Sequence, residues 1–205
     1  MSKQTHLLAI DLGEVLLNVD HACTYRRLGA LAKLPAVEVQ HRLDDDPIVH
    51  ALDRGEFTPA SFAAAVGAKL GCSIDAQTLR ACWTGILSVK QDVVGWLETL
   101  LPRVTCVLVS NINWWHWQEA SELLPLLQRF DGHVLSYVEG VRKPEAAYYQ
   151  RVRSRWPLEH ALFIDDRADN CAAAQAHGFE VWQFSDLRPL AAHVEQWLVR
   201  RKRPG

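Results

Sequence analysis

Short apolar runs, separated by polar and helical stretches, mark most of this chain. Residues 7–10, 104–109, 161–164 and 180–184 form the clear runs, and residues 133–136 form a weaker one. Short apolar runs bounded by polar or turn residues are typical of buried strands. Because helical patterns separate the later runs, the sequence predicts an α/β fold with a parallel sheet covered by helices on both faces.

The stretch between the first two clear runs has a helical pattern and contains no good strand. Its best-marked helix begins after Thr58, a residue type that caps helix N-termini, and Pro59 suits the first helical position. Phe57 and Phe62 have the spacing of a hydrophobic staple across this helix start. We therefore expect several helices inserted after the first strand.

The inserted helices divide the chain into two parts. A further helix, predicted at residues 92–100 and stopped near Pro102, leads back into the sheet. We expect a Rossmann-like core made of residues 1–17 and 89–205, and a helical cap made of residues 18–88. Ligands of such cores bind at the carboxyl ends of the strands, near a switch in strand order.

Polar residues follow three of the predicted strands. Asp11 lies in a sharp turn directly after the first strand, Ser110 and Asn111 follow the second, and Asp165 and Asp166 follow another. Carboxylates that converge at one sheet edge repel each other unless a cation lies among them. Oxygen ligands on a rigid scaffold suit Mg²⁺, which takes one or two carboxylates together with substrate phosphate.

Phosphate-binding groups accompany the carboxylates. Ser110 offers a hydroxyl, and Asn111 offers an amide and backbone N–H groups. Lys143 offers a full positive charge at the start of a helix that Pro144 opens. Carboxylates, a cation and several phosphate donors are the parts that phosphoryl transfer requires. The sequence therefore predicts a magnesium-dependent enzyme acting on a small phosphorylated substrate.

Four short motifs at these positions resemble those of the haloacid dehalogenase (HAD) superfamily. They are DLGEV at residues 11–15, VSN at 109–111, RKP at 142–144, and IDD at 164–166 followed by Asn170. The resemblance spans nearly the whole chain and includes a cap inserted after the first strand. The chain is most similar to a bacterial subgroup whose first motif reads DLGxV, and which includes an α-D-glucose-1-phosphate phosphatase.

The resemblance implies a role for each motif residue. Asp11 is the expected nucleophile, which attacks phosphorus to form an aspartyl-phosphate that water then hydrolyses. Asp11, the carbonyl of Gly13 and Asp166 are the expected Mg²⁺ ligands, and Asn170 is expected to orient a ligand or water. Asp165 is either a further ligand, through bound water, or a helix cap. The residues expected to bind the phosphoryl group are Ser110, Asn111 and Lys143.

Position 13 departs from the pattern of the superfamily's phosphatases. Most carry there a second Asp, which protonates the leaving group and later activates water, and such help is typically worth ~10²–10⁴-fold in rate. Gly13 cannot transfer a proton. Because a turn of the usual shape would point Glu14 in the wrong direction, water is favoured over Glu14 as the group that replaces the missing Asp. We therefore expect a leaving oxygen that needs little protonation, as in a hexose-1-phosphate, and neither a phosphomutase nor a metal-free dehalogenase.

Composition and charge narrow the class of protein. With 205 residues, 49% hydrophobic and 22% charged, the chain can bury a core. A net charge of -2 gives no reason to expect a nucleic-acid or membrane partner, and the basic run at residues 200–203 has the pattern of a solvated tail. Five cysteines without a CxxC pair favour reduced thiols in the cytoplasm. No stretch resembles a signal peptide or a membrane span.

Substrate choice is expected to come from the cap, acting as a lid that excludes water. His21 and Tyr25 are candidates to face the pocket, with hinge or packing roles equally open. The acidic run at residues 44–46 is a solvated helix end or, less commonly, a site that recognises sugar hydroxyls. A tryptophan cluster follows the second motif and consists of Trp114, Trp115 and Trp117. Its members either line the pocket, pack between helix and sheet, or form an interface.

A second hypothesis belongs to another class of function. A catalytically weakened protein of the same fold would bind a phosphorylated ligand or partner in a regulatory role. Gly13 and the tryptophan cluster favour this hypothesis, whereas Asp11, Lys143 and Asp166 argue against it because a binding protein needs no nucleophile. Monomer and homodimer are equally open.

Overall fold

The structure, a computed structural model, describes residues 5–44 and 46–199. The strands are β1 His6–Ile10, β2 Leu17–Val19, β3 Leu87–Val89, β4 Thr105–Ser110, β5 Gly132–Leu135, β6 His160–Asp165 and β7 Glu180–Gln183. The α-helices are α1 His21–Ala32, α2 Ala36–Leu43, α3 Pro47–Asp53, α4 Pro59–Leu70, α5 Ala76–Trp83, α6 Gln91–Leu100, α7 Trp114–Leu123, α8 Ser136–Glu139, α9 Ala146–Arg155, α10 Ala168–Ala176 and α11 Leu187–Leu198. The basic run at residues 200–203 and residue 45 of the acidic run lie outside the described residues.

Five strands form one parallel sheet in the order β5-β4-β1-β6-β7. Strand β1 lies at its centre, paired with β4 on one side and with β6 on the other. The chain builds the sheet outward from β1 in one direction and then returns to build it in the other. The carboxyl end of β1 is therefore the switch point in strand order, where ligands of such sheets bind.

Alternation of side chains along the strands covers both faces of the sheet. Leu8 and Ile10 of β1 pack on one face with residues of α6 and α11, whereas Leu7 and Ala9 pack on the other with α9 and α10. All four side chains are fully buried. A parallel strand buried on both faces needs a continuous apolar run, which is what residues 7–10 supply.

The α/β class predicted from the sequence is confirmed, and all five expected runs form strands of this sheet. The predicted helix near residues 92–100 is α6. The sequence did not predict strands β2 and β3, which pair antiparallel through Leu17 with Val89 and Val19 with Leu87. This two-stranded ribbon carries the chain out of the sheet to the inserted helices and back.

Helices α1 to α5 pack around an apolar core of their own. Helix α4 begins as predicted: Thr58 accepts a hydrogen bond from the backbone N–H of Ser61, and the Ser61 hydroxyl accepts one from the backbone N–H of Thr58. The rings of Phe57 and Phe62 are 5.6 Å apart, as the staple requires. Within the described residues, none of the helices combines the length and the apolar composition that crossing a membrane requires.

The inserted helices contact the core at the end of α3. Arg142 Nη2 lies 3.8 Å from Asp53 Oδ2, and Arg54 Nη1 lies 3.5 Å from Glu145 Oε1. Gly55 follows with a φ of 72°, and a Cβ atom placed there would lie 2.3 Å from the carbonyl oxygen of Tyr137. Only glycine allows the backbones of the two parts to approach this closely. The domain boundaries expected from the sequence stay a prediction.

Two glycine substitutions separate the cost of backbone strain from the cost of this contact. Gly71 has a similar φ of 73°, but a Cβ atom placed there would have no neighbour among the described residues within 4 Å. Gly71→Ala should therefore cost about 1–2 kcal/mol. Gly55→Ala should cost about 1–3 kcal/mol more, because the added methyl group meets Tyr137. Urea unfolding of both variants measures the difference, and equal costs would contradict a tight contact.

Candidate active site

Three neighbouring strands end at one place, and each contributes a functional side chain there. Asp11 follows β1, Ser110 ends β4 and Asp165 ends β6. The backbone N–H of Asp11 continues the sheet by donating to the carbonyl of Ile164 at 2.9 Å. All three polar side chains are buried, at 7%, 2% and 0% exposure. The sheet therefore brings together residues that lie far apart in the sequence.

Lys143 connects these strand ends through its ammonium group. Its Nζ donates to Asp165 Oδ2 at 2.6 Å and to the carbonyl of Val109 at 3.0 Å, and it lies 2.9 Å from Asp11 Oδ1. The side chain is only 1% exposed. Burial opposes the charge, but Asp11 and Asp165 outweigh it and raise the pKa of Lys143. Lys143 is therefore a permanent buried cation beside the expected nucleophile.

The loop that carries Lys143 is held by Asn111. The Asn111 amide donates to the carbonyl of Lys143 at 2.8 Å and accepts from its backbone N–H at the same distance. Next to it, the Ser136 hydroxyl accepts from the backbone N–H of Ile112 at 2.9 Å. Both ends of the Asn111 amide thus help to position Lys143, and its second N–H leaves the predicted role as a phosphate donor a prediction.

Asp165 has no free oxygen. Its Oδ1 accepts from the backbone N–H of Arg167 at 3.0 Å and from Asn170 Nδ2 at 2.9 Å, while Oδ2 accepts from Lys143. Arg167 is the residue that precedes helix α10. These contacts hold the turn before α10 and position Lys143, and both roles left open for Asp165 stay predictions.

The carboxylates form a cluster with excess negative charge. Carboxylate oxygens of Asp11, Asp165 and Asp166 lie within 4.8 Å of one another, with one ammonium group, that of Lys143, among them. Burial, helped by the charge of Asp165, raises the pKa of Asp11 and that of the half-buried Asp166, and Lys143 opposes both shifts. A further cation at this place would restore the ionised forms.

The site fits Mg²⁺ in its donor set. Oxygens are its preferred ligands, and Asp11 and Asp166 supply them beside the backbone of Gly13 in the same cavity. Asn170 is 2% exposed, and its Oδ1 has no hydrogen-bond partner among the described residues. A buried acceptor without a partner is costly, and a metal-bound water would supply the missing donor.

Two adjoining cavities lead away from the carboxylates. The first, of about 270 Å³, is lined by the carboxylate cluster and Lys143, and the second, of about 240 Å³, is lined mainly by the inserted helices. Five residues line both cavities and so mark their junction: His21, Asn111, Ile112, His116 and Arg142. A substrate with its phosphoryl group in the first cavity would extend into the second.

Three residues that line the second cavity carry buried polar atoms. Thr24 Oγ1, Trp83 Nε1 and Arg142 Nε have no hydrogen-bond partner among the described residues. Thr24 and Trp83 are only 3% and 6% exposed. Arg142 was visible beside Lys143 in the third motif, but no local pattern distinguishes Thr24 or Trp83 from other helix residues.

The tryptophan cluster after the second motif packs against neighbours and lines neither of these cavities. Trp114 and Trp115 join the apolar core of the inserted helices, where the rings of Trp115 and Phe62 are 6.3 Å apart. Trp117 packs on the main core beside His133, with 5.1 Å between the rings. Of the three alternatives, packing is the one that these contacts match.

Comparison with known proteins gives relatives in sequence and in structure. No family model matches the chain. The chain is 29% identical over 173 residues to a sesquiterpene phosphatase of Aspergillus oryzae, a match that covers 79% of this chain and 88% of the relative.

Two solved structures are similar over nearly the whole chain. One is a HAD family enzyme of Bacteroides thetaiotaomicron in complex with magnesium and inorganic phosphate, with a TM-score of 0.79 and 24% identity over 91% of this chain and 98% of that one. The other is a HAD-like family hydrolase of Porphyromonas gingivalis, with a TM-score of 0.83 and 21% identity over 97% of this chain and 100% of that one. Likeness at this level of identity establishes the fold.

The prediction for the metal concerns stability. At one hundred times its dissociation constant, Mg²⁺ should stabilise the chain by about 2.7 kcal/mol, which raises the melting temperature by roughly 5–10 °C. Asp166→Asn should abolish most of this shift because it removes a ligand. Asp169→Asn is the matched control, since that carboxylate pairs with Arg167 at 2.9 Å on the surface. A full Mg²⁺ shift in Asp166→Asn would contradict the site.

Proposed function

We propose that this chain, which has the fold of the HAD superfamily of hydrolases, is a magnesium-dependent phosphatase of a small phosphorylated metabolite. The sequence likeness to a phosphatase and the structural likeness to HAD family enzymes support a hydrolase of this kind. The observation that carries the proposal is the buried contact of Asp11 with Lys143, 2.9 Å long, beside Asp166.

In this proposal Asp11 attacks phosphorus and becomes an aspartyl-phosphate, which water then hydrolyses. Lys143 favours the ionised form of Asp11 against the effect of burial and partly neutralises the incoming phosphoryl group. Ser110, buried at the end of β4, offers its hydroxyl to a phosphoryl oxygen. When bound, Mg²⁺ would neutralise charge on the phosphoryl oxygens, with Asp11, Asp166 and the Gly13 carbonyl as its ligands.

The second cavity supports a leaving group that carries hydroxyl groups. Its lining includes polar residues, among them Thr24 and Tyr25, that can exchange hydrogen bonds with the hydroxyl groups of a ligand. Asp44 and Asp53 line the same cavity and can accept hydrogen bonds from hydroxyls. A hexose-1-phosphate, as in the glucose-1-phosphate phosphatase subgroup that the first motif resembles, meets these requirements.

A second candidate substrate is an isoprenoid phosphate. It is favoured by the likeness to the sesquiterpene phosphatase, and apolar side chains, among them Leu43, Val49 and Ile86, also line the second cavity. An apolar leaving group would, however, offer no hydrogen bond to the carboxylates of Asp44 and Asp53, which line the same cavity. The hydroxylated leaving group is therefore the better match.

The alternative of a binding protein without turnover is weaker on physical grounds. Burying Lys143 with two carboxylates costs desolvation energy, and replacing such charged groups by apolar ones is often neutral or stabilising. A protein that only binds phosphate has no need for a buried carboxylate directed at the phosphoryl site. Retention of Asp11 beside Lys143 favours catalysis.

A screen of phosphate esters with Mg²⁺ tests the function. It should contain hexose-1-phosphates, hexose-6-phosphates, an isoprenoid phosphate and an aryl phosphate, with release of inorganic phosphate as the measurement. We expect turnover that is highest on a hexose-1-phosphate, and a loss on the order of 10⁴-fold or more in Asp11→Asn, which lacks the nucleophile.

The exposed Asp92 provides the matched control, because Asp92→Asn removes a carboxylate on α6 outside both cavities and should keep wild-type activity. Thermal unfolding of both variants checks that they are folded. No turnover on any ester, or equal activity in wild type and Asp11→Asn, would contradict a phosphatase.

A further inference from the structure

We propose that His21 protonates the leaving oxygen, and so takes over the proton transfer that Gly13 cannot perform. The inference rests on the proposed function and deepens it. Breaking the phosphorus–oxygen bond places negative charge on the leaving oxygen, and an ordinary alcohol leaves slowly unless that charge is protonated. The question is which group around the cavities holds a proton that it can give.

Glu14, the carboxyl group next to Gly13 in the chain, lines the first cavity but has other partners. Its backbone has a φ of 54°, in the left-handed region. Its Oε1 accepts from the backbone N–H of Val19 at 2.9 Å, and its Oε2 lies 3.6 Å from Lys90 Nζ. These contacts hold the Glu14 carboxylate against the backbone of Val19 and the ammonium group of Lys90, so Glu14 is not positioned on the leaving oxygen.

His116 lines the junction but is also engaged. Its Nε2 contacts the carbonyl of Trp83 at 2.8 Å, and because a carbonyl only accepts, this nitrogen carries the proton. Its Nδ1 accepts from the amide nitrogen of Asn113 at 3.1 Å. Burial lowers the pKa of His116 below its usual value. The ring is therefore a neutral connector between the inserted helices and the core.

The remaining charged groups of the first cavity are unsuited as acids. Asp11 and Asp166 are the proposed nucleophile and metal ligand. Lys143 directs its ammonium group at three oxygens, and the guanidinium groups of Arg142 and Arg167 do not release protons in proteins. An imidazole, in contrast, gains and loses a proton close to neutral pH.

His21 is free to act and lies where the proton is needed. It is exposed, its ring stacks on Tyr25 with centroids 6.4 Å apart, and neither of its nitrogens has a hydrogen-bond partner among the described residues. It is the first residue of α1, held there because Asp20 caps the helix by accepting from the backbone N–H of Cys23 at 3.0 Å. His21 lines both cavities, so it lies beside the junction that the bridging oxygen of a bound ester would occupy.

His21 accounts for both proton transfers of the reaction. As an Asp11 oxygen bonds to phosphorus and the bond from phosphorus to the leaving oxygen breaks, the His21 imidazolium gives its proton to that oxygen and the alcohol departs. Water then attacks phosphorus, the bond to Asp11 breaks, and the neutral imidazole takes the proton of the attacking water. Ester and water become alcohol and phosphate, and His21 regains its starting form.

The test compares His21→Asn with wild type on two esters in the presence of Mg²⁺. On an alkyl phosphate, kcat should fall about 10²-fold or more because the leaving group requires protonation. The nitrophenolate of a nitrophenyl phosphate leaves without being protonated. The variant should therefore release one nitrophenol per enzyme molecule in a rapid burst, followed by slow turnover. The burst arises because the second step has also lost its base, and a merely structural role would not produce it.

Gly13→Asp provides a suppressor. Among the described residues, a Cβ atom at position 13 would meet only Val19 Cγ2, at the ordinary contact distance of 3.6 Å, so the first side-chain atom of an Asp fits without a clash. When Gly13→Asp is added to His21→Asn, kcat on the alkyl phosphate should rise at least about tenfold above that of His21→Asn alone. The burst on the nitrophenyl phosphate should disappear. His41→Asn, an exposed change on α2 outside both cavities, is the matched control and should behave as wild type.

Two results would overturn the inference while leaving the phosphatase standing. One is a wild-type kcat of His21→Asn on the alkyl phosphate. The other is an equal loss on both esters without a burst and without rescue by Gly13→Asp, which would assign His21 a structural role. Failure of wild type on every ester, in contrast, would contradict the proposed function itself, and the inference with it.

Discussion

Lys143 is held by three oxygens at a place that water hardly reaches, and the site is organised around this buried charge. Without it, Asp11 and Asp165 would face each other as buried carboxylates, which is one of the most costly arrangements in a protein. With it, the cluster still carries an excess of negative charge once Asp166 is counted. This excess negative charge makes the carboxylate cluster suitable for binding a divalent cation.

Much of the neighbouring structure serves to keep this ammonium group in position. The Asn111 amide fixes the backbone of Lys143, and Asn170 and the backbone of Arg167 fix the carboxylate of Asp165 that Lys143 contacts. The preceding residue, Arg142, lies 3.8 Å from Asp53 of the inserted helices. Burial raises the pKa of Asp53 to about 6, against the influence of Arg142. The inserted helices are thus connected to the carboxylate cluster through two consecutive residues, Arg142 and Lys143.

Sequence reasoning reached the fold and the strand-end residues because both depend on local signals. Apolar runs identify buried strands, and Asp11, Ser110 and Asp165 lie at the ends of those strands. It did not reach what depends on tertiary contacts. Nothing local distinguishes the Asn111 amide as a support for Lys143, or Thr24 as a buried polar group without a partner among the described residues. The domain boundaries, the roles of the site residues and the resemblance to the glucose-1-phosphate phosphatase subgroup stay predictions.

The central claim is that Asp11 becomes covalently phosphorylated, and trapping that species tests it most directly. Wild type mixed with Mg²⁺ and a nitrophenyl phosphate, quenched in acid within the first turnover and digested with protease, should yield the peptide that contains Asp11 with one added phosphoryl group. The same peptide from Asp11→Asn should be unmodified. A phosphoryl group on another residue, or a burst of nitrophenol from His21→Asn with no modified peptide at any quench time, would contradict the account.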